Sequence, residues 1–147
     1  MVSYKGNLYS KDMNSLIYSA PGKDDIELYD GVLTLSTLSI VNDNITSLII
    51  PNNVATIREK AIDAHNLNSV VLGNGLKNIN DYAFGYRYRE YNLEKLFFSG
   101  AAKDLQKVNV SNNNVTLAKA TRYYYSESKP TGLGNCWHYV DNLPTIW

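Results

Sequence analysis

Apolar positions recur along this chain at a fixed spacing. Ile45, Leu48 and Ile50 are matched one period later by Leu67, Val70 and Leu72, then by Leu93, Leu96 and Phe98, with a fourth set read at Val115, Ala118 and Ala120. The second of these steps is longer than the first and third, which places a single four-residue expansion before the third set. The register also runs backward. Ile26 and Leu28 precede Leu48 and Ile50 by the same unexpanded interval, and so do Val32, Leu35 and Ile40 with respect to Val54, Ile57 and Ile62. A unit of roughly 22 residues buries its apolar side only against a neighbouring copy of itself, so the period predicts a solenoid of about five rungs.

Within each unit the pattern changes character. Leu48-Ile49-Ile50 alternates with period two, which predicts a short strand with two side chains inward and one outward. Val54, Ile57, Ala61 and Ile62, with their counterparts Leu76, Ile79, Ala83 and Phe84, are spaced as a turn of helix or a short irregular coil requires. Pro51 and Gly73 end the strands, and Asn52-Asn53 and Asn74-Gly75 make the turns. The eighteen asparagines cluster at such junctions and are read as turn formers. The expected fold is therefore an α/β solenoid tending to mostly β, in one domain: a hairpin cap over residues 1–25, repeats over 26–120 and an aromatic cap over 121–147. The hairpin is read from two apolar segments around a polar turn between Leu8 and Tyr18. Both ends need cover because an open rung bares a core face and strand edges, so Trp137, Tyr139 and Trp147 are expected to pack over the last rung.

The stretch from Ile45 to Phe84, and Asp81-Tyr82-Ala83-Phe84 above all, resembles the BspA-like bacterial leucine-rich repeats. Their unit runs strand, Pro or similar, Val-x-x-Ile, then a small residue and Phe. The end of the chain, from Tyr123 to Pro130 and through Trp137-His138-Tyr139 to Trp147, resembles a terminal segment that often closes such arrays. Two departures stand out: Ile62 replaces the usual Phe, and Asn109-Val110 stands where a further Ala-Phe pair is expected. The resemblance implies a binding module, and arrays of this kind are commonly long and exported. This chain begins Met1-Val2-Ser3-Tyr4-Lys5 with no apolar segment of signal-peptide type, so either an intracellular chain or a fragment of a surface protein is expected.

Composition narrows the field further. No apolar run is long enough for a membrane-spanning helix, so no span is predicted. Formal charge is zero, which disfavours nucleic acid as a partner. Acids gather at Asp24, Asp25, Glu27, Asp30 and Asp43, and bases at Arg87, Arg89, Lys95, Lys103, Lys107, Lys119 and Arg122. This polarity fits a solvated surface or a field that steers a partner.

Candidate chemistry is sparse. His65 is read as a surface residue of a junction loop. Cys136 and His138 lie beside Asp141, but two positions apart on a strand they share a face with no third group to orient them, so a cysteine-dependent enzyme is the weakest alternative. Neither a metal nor a cofactor is expected, since two histidines and one cysteine give no ligand spacing. Asn44-Ile45-Thr46 and Asn114-Val115-Thr116 match the glycosylation triplet, yet they occupy one repeat position, where a turn role explains both.

Binding has more support. In a solenoid the outward strand positions present the recognition surface. One outward column reads Glu27, Ile49, Val71, Phe97, Lys119, and its neighbour reads Ser47, Ser69, Lys95, Leu117. Ile49, Val71 and Phe97 would form an exposed apolar stripe of the kind that marks interaction sites, or merely reflect β-propensity. The expansion at Tyr86, Arg87, Tyr88, Arg89 and Tyr91 has the composition of an interface hot spot. The expectation is thus a non-catalytic module that binds another protein through these residues, with Lys95 and Lys119 at the margin. An intracellular inhibitor or adaptor of phage or mobile-element type would occlude its partner in this way. A fragment of an adhesin is the alternative.

Overall fold

A computed structural model describes residues 1–85, 91–132 and 134–147. The chain opens with three antiparallel strands, β1 (Val2–Tyr4), β2 (Asn7–Tyr9) and β3 (Ser15–Ser19). Lys5 and Gly6, both at positive φ, make the two-residue turn between the first pair. From there the chain coils. Its first turn carries β4 (Thr34–Leu35) and β5 (Ile40–Val41), and the second carries β6 (Ser47–Ile50), β7 (Thr56–Ile57) and β8 (Ile62–Asp63). The third carries β9 (Ser69–Leu72) and β10 (Asn78–Ile79). The fourth carries β11 (Lys95–Phe98), α1 (Ala102–Leu105), β12 (Asn109–Val110) and α2 (Val115–Lys119). The strand β13 (Thr121–Tyr125) and the hairpin of β14 (Cys136–Val140) and β15 (Leu143–Ile146) finish the chain.

These strands stack into three walls. One sheet runs β1-β2-β3-β4-β7-β10-β12, a second runs β15-β14-β13-β11-β9-β6, and β5 pairs with β8 in a third, which Phe84 continues by a bridge to Ile62. Parallel pairing places Leu48 on Val70 and Val70 on Leu96, and Leu35 on Ile57 and Ile57 on Ile79. That is the register read from the sequence, expansion included. The inward positions Leu48, Ile50, Val70, Leu72, Leu96 and Phe98 are all buried in one continuous core. The segments after each strand, expected as a helical turn or coil, are coil with two-residue strands. Their β-branched isoleucines stack on the same residue type in the next turn.

Asparagine and aspartate side chains knit the corners across one full turn. Asn74 N–H donates to Asn52 Oδ1, Asn53 Nδ2 to the Asp30 carbonyl, and Asn66 Nδ2 to the Asp43 carbonyl. Both glycosylation-type asparagines do the same work: Asn44 Nδ2 reaches the Gly22 carbonyl, and buried Asn114 bonds the Asn80 carbonyl while accepting from Ala83 N–H. The turns approach so closely here that a Cβ on Gly75 would lie 2.0 Å from the Asn52 carbonyl oxygen, which explains glycine at that corner.

The fourth repeat is out of the expected register. Residues 115–119 form helix α2, not a strand: Val115 and Ala118 are exposed, and Leu117 is the residue of the helix that reaches the core. The strand stacked on β11 is β13, so Lys95 pairs with Thr121 and Leu96 with Arg122, an expanded step equal to the one from Ser69 to Lys95. Alanine and lysine favour helix over strand, and α1 takes up the added length. Asn109-Val110 likewise matches Asn78-Ile79, not the Ala83-Phe84 pair.

Candidate functional site

The outward strand column is Ile49, Val71, Phe97 and Tyr123, with Tyr123 in the place expected for Lys119. The neighbouring column is Ser47, Ser69, Lys95 and Thr121, with Thr121 where Leu117 is expected. Lys119 is exposed on α2, away from both columns. The expected open apolar stripe is not open. Val71 and Phe97 are buried, and Trp137 of β14 is buried against them with no exposed surface. Phe97 packs on Trp137 and Tyr123 at ring separations of 5.4 and 5.3 Å, and Trp137 Nε1 donates to the Phe98 carbonyl at 2.7 Å. Alternation along a strand tells which face a side chain takes, and says nothing of what later folds onto that face.

The covering element is the C-terminal hairpin. β14 pairs in parallel with β13 only at Tyr124 and Tyr125, then continues across the outward face of the solenoid. Trp137 and Tyr139 point down onto that face with their rings 4.9 Å apart, while His138 on the other side stacks on Trp147 at 3.5 Å. The aromatic segment therefore meets the last rung as expected, through β13, Tyr125 and Ser126, and in addition lies across a wall of the stack. At the inward positions of the last rung stand Arg122 and Tyr124, whose polar ends suit a terminal turn.

The hairpin turns at Asp141-Asn142, both at positive φ, and its tip stops short of Ile49. Ile49 keeps 41% of its surface exposed. Between tip and rungs runs a groove of about 740 Å³. Its floor is Ser47, Ile49, Ser69 and Val71; one wall is Tyr139, Leu143 and Pro144; the other is Tyr4, Asp25, Glu27, Tyr29 and Asp30. A continuation toward Asn52, Asn74 and Tyr125 shares Asp30, Ile49, Pro51, Val71 and Tyr139 with it. Partial burial, aided by neighbouring Tyr125, holds the Tyr139 phenol above its ordinary pKa, so it is a neutral hydroxyl at physiological pH. The outward columns of the sequence supply Ser47, Ile49, Ser69 and Val71, and its acidic cluster supplies Asp25, Glu27 and Asp30; what the sequence does not show is that the two meet in one groove, or that Tyr139, expected as a cap residue, joins Leu143 and Pro144 as the facing wall. The dipeptide Asp141-Asn142 between two apolar-aromatic runs is the signal that a hairpin forms there.

The remaining candidates are scattered. Tyr86, Arg87, Tyr88 and Arg89 lie outside the described residues. Tyr91 is buried, its hydroxyl donating to Asp63 and its ring stacked on His65 at 4.9 Å. His65 is half-buried instead of lying free at the surface, with Nδ1 2.6 Å from Asp43 Oδ1. Lys95 is exposed. Cys136 is part-buried, and its carbonyl accepts from Trp147 N–H. Asp141, at the hairpin tip, is about 16 Å along the strand from Cys136 and about 10 Å from His138, too far to orient either. Among the described residues no three His, Cys, Asp or Glu side chains gather as a metal site, and no helix is long and apolar enough to cross a membrane.

Neither a curated protein nor a solved structure matches the chain significantly. A family model for the BspA type Leucine rich repeat region matches residues 23–116 in six copies. Those residues are the stacked turns themselves, so the chain belongs to the BspA-type leucine-rich-repeat family.

Proposed function

We propose that this leucine-rich-repeat chain is a non-catalytic module that binds another protein, and that the groove beneath the C-terminal hairpin is where it does so. One observation carries the reading: Ile49 stays uncovered in a column whose other apolar members, Val71 and Phe97, the chain buries itself. Covering the remainder from outside would desolvate it as Trp137 desolvates Phe97. Fixed packing behind the floor and a tight two-residue turn at the tip make the groove preorganised, which lowers the entropy cost of binding. A module of this kind acts by occluding its partner's surface, as an inhibitor or adaptor does.

Affinity capture of partners, followed by the same capture with Ile49→Arg, tests the proposal. Ile49 is outside the buried core, so the variant should melt with the wild type while losing its partner. Undiminished capture by a folded Ile49→Arg chain would place the binding surface elsewhere, the 86–91 expansion being the next candidate.

A further inference from the structure

The groove is one-sided in charge. Asp25, Glu27 and Asp30 line it, and among the described residues no lysine, arginine or histidine does. Lys5, next in the chain to the wall residue Tyr4, is already engaged with Glu27. Asp25 and Asp30 have no ion pair and their carboxylates no hydrogen-bond partner among the described residues. The same walls carry three phenol rings, from Tyr4, Tyr29 and Tyr139, whose faces attract cations; Lys5 Nζ already lies 5.5 Å from the Tyr4 ring centroid, which shows the attraction at work and leaves Tyr29 and Tyr139 for a partner. The chain as a whole is neutral, so this negative wall is a local arrangement and not the overflow of an acidic protein.

The floor narrows the occupant further. β6 is the end strand of its six-stranded sheet, and among the described residues the segment 25–28 across the groove makes no backbone hydrogen bond to it. An end strand offers main-chain donors and acceptors to an extended chain, and pockets for alternate side chains give such pairing its specificity. Ile49 supplies an apolar contact on the floor, and the carboxylates supply contacts at the wall.

Building on the binding function proposed above, we infer that the occupant is an extended, cationic segment of a partner protein, its apolar side chain on Ile49 and its Arg or Lys between Asp25, Asp30 and the tyrosine rings. The geometry has no use for an acidic or uncharged strand, which would leave the two free carboxylates facing like charge or nothing.

The test is an anisotropy titration of the purified chain with three fluorescein-labelled peptides of alternating pattern, Leu-Arg, Leu-Ser and Leu-Glu repeats of equal length, at about 150 mM salt, where distant charges are screened. The Leu-Arg peptide should bind at least about tenfold more tightly than the other two. The Asp25→Asn, Asp30→Asn double variant should abolish that preference, and Ile49→Arg should abolish binding. Glu59→Gln, an exposed acid on another wall, should change neither, and all variants should share the wild-type melting profile. Equal binding of the serine peptide, lost in Ile49→Arg, would overturn the cationic partner and leave the protein-binding groove standing. Arginine-peptide binding that ignores all three groove substitutions would overturn the groove itself. Spermidine displacing the peptide at equal charge concentration would overturn an extended segment in favour of a small polycation.

Discussion

At the scale of residues, the repeat concentrates its energy in a few buried side chains and one tryptophan. Leu72 is buried between its counterparts Ile50 and Phe98 in the turns on either side, so Leu72→Ala leaves a cavity that two neighbours line. It should cost about 2–5 kcal/mol in chemical denaturation. Trp137→Ala removes a larger side chain and bares Val71 and Phe97 together, with an expected loss of about 3–5 kcal/mol. Trp137→Phe should lose less, about 1 kcal/mol for the indole bond to the Phe98 carbonyl plus the volume not refilled. Equal losses for the two variants would show that the hydrogen bond and ring size do not matter there. Asp12 gives a smaller, pH-dependent effect. Hydrogen bonds from Ser10 Oγ and Asn14 N–H hold its carboxyl below the usual range. Its contribution is therefore present above the unfolded-state pKa and lost as pH falls through the folded one, so an NMR titration should find Asp12 ionising below a free aspartate, and Ser10→Ala should move it back up.

At the scale of elements, legibility in the sequence depends on whether neighbours or distant segments decide the outcome. The stacking register of Leu48, Val70 and Leu96 is legible because inward residues meet their own kind one turn away, and Leu35, Ile57 and Ile79 read the same way. The hairpin of β2 and β3 is legible from local apolar segments around a turn, whereas β1, a short exposed strand paired on β2, carries no such pattern. The final rung misleads because Val115, Ala118 and Ala120 keep the apolar spacing while their composition favours helix. The burial of Val71 and Phe97 is invisible because Trp137 comes from far along the chain. The two readings of residues 115–120 make opposite demands on single side chains. In helix α2, Leu117 is buried and Val115 exposed, so Leu117→Ala should cost about 2–5 kcal/mol and Val115→Ser close to nothing. A strand in the unexpanded register would reverse that order, and thermal melts of the two variants decide between them.

At the scale of the whole molecule, a solenoid is a stack whose turns contact only their neighbours, so the consequences of a cut depend on where it falls. The N-terminal strands feed the stack directly: Tyr9 and Leu16 are in the main core, and β3 pairs in parallel with β4. The C-terminal hairpin differs, because β14 holds β13 at two positions and otherwise lies on an outward face whose small cluster is separate from the core. Removing residues 136–147 should therefore leave the turns folded, with Leu48, Val70 and Leu96 still stacked, while uncovering Val71 and Phe97 beside Ile49. The uncovered column would restore the apolar stripe that the bare repeat pattern predicts, and a free stripe on a sheet face invites association. The expected result is a chain that keeps its far-ultraviolet dichroism and cooperative melt at a lower midpoint, binds a hydrophobic dye and self-associates with rising concentration. Replacing Val71 and Phe97 by threonine in the truncated chain should reverse the dye binding and the association but leave the melt where truncation put it. A truncated chain that stays monomeric and takes up no dye would mean the hairpin does not shield this face, and the groove between its tip and Ile49 would lose its meaning as a site.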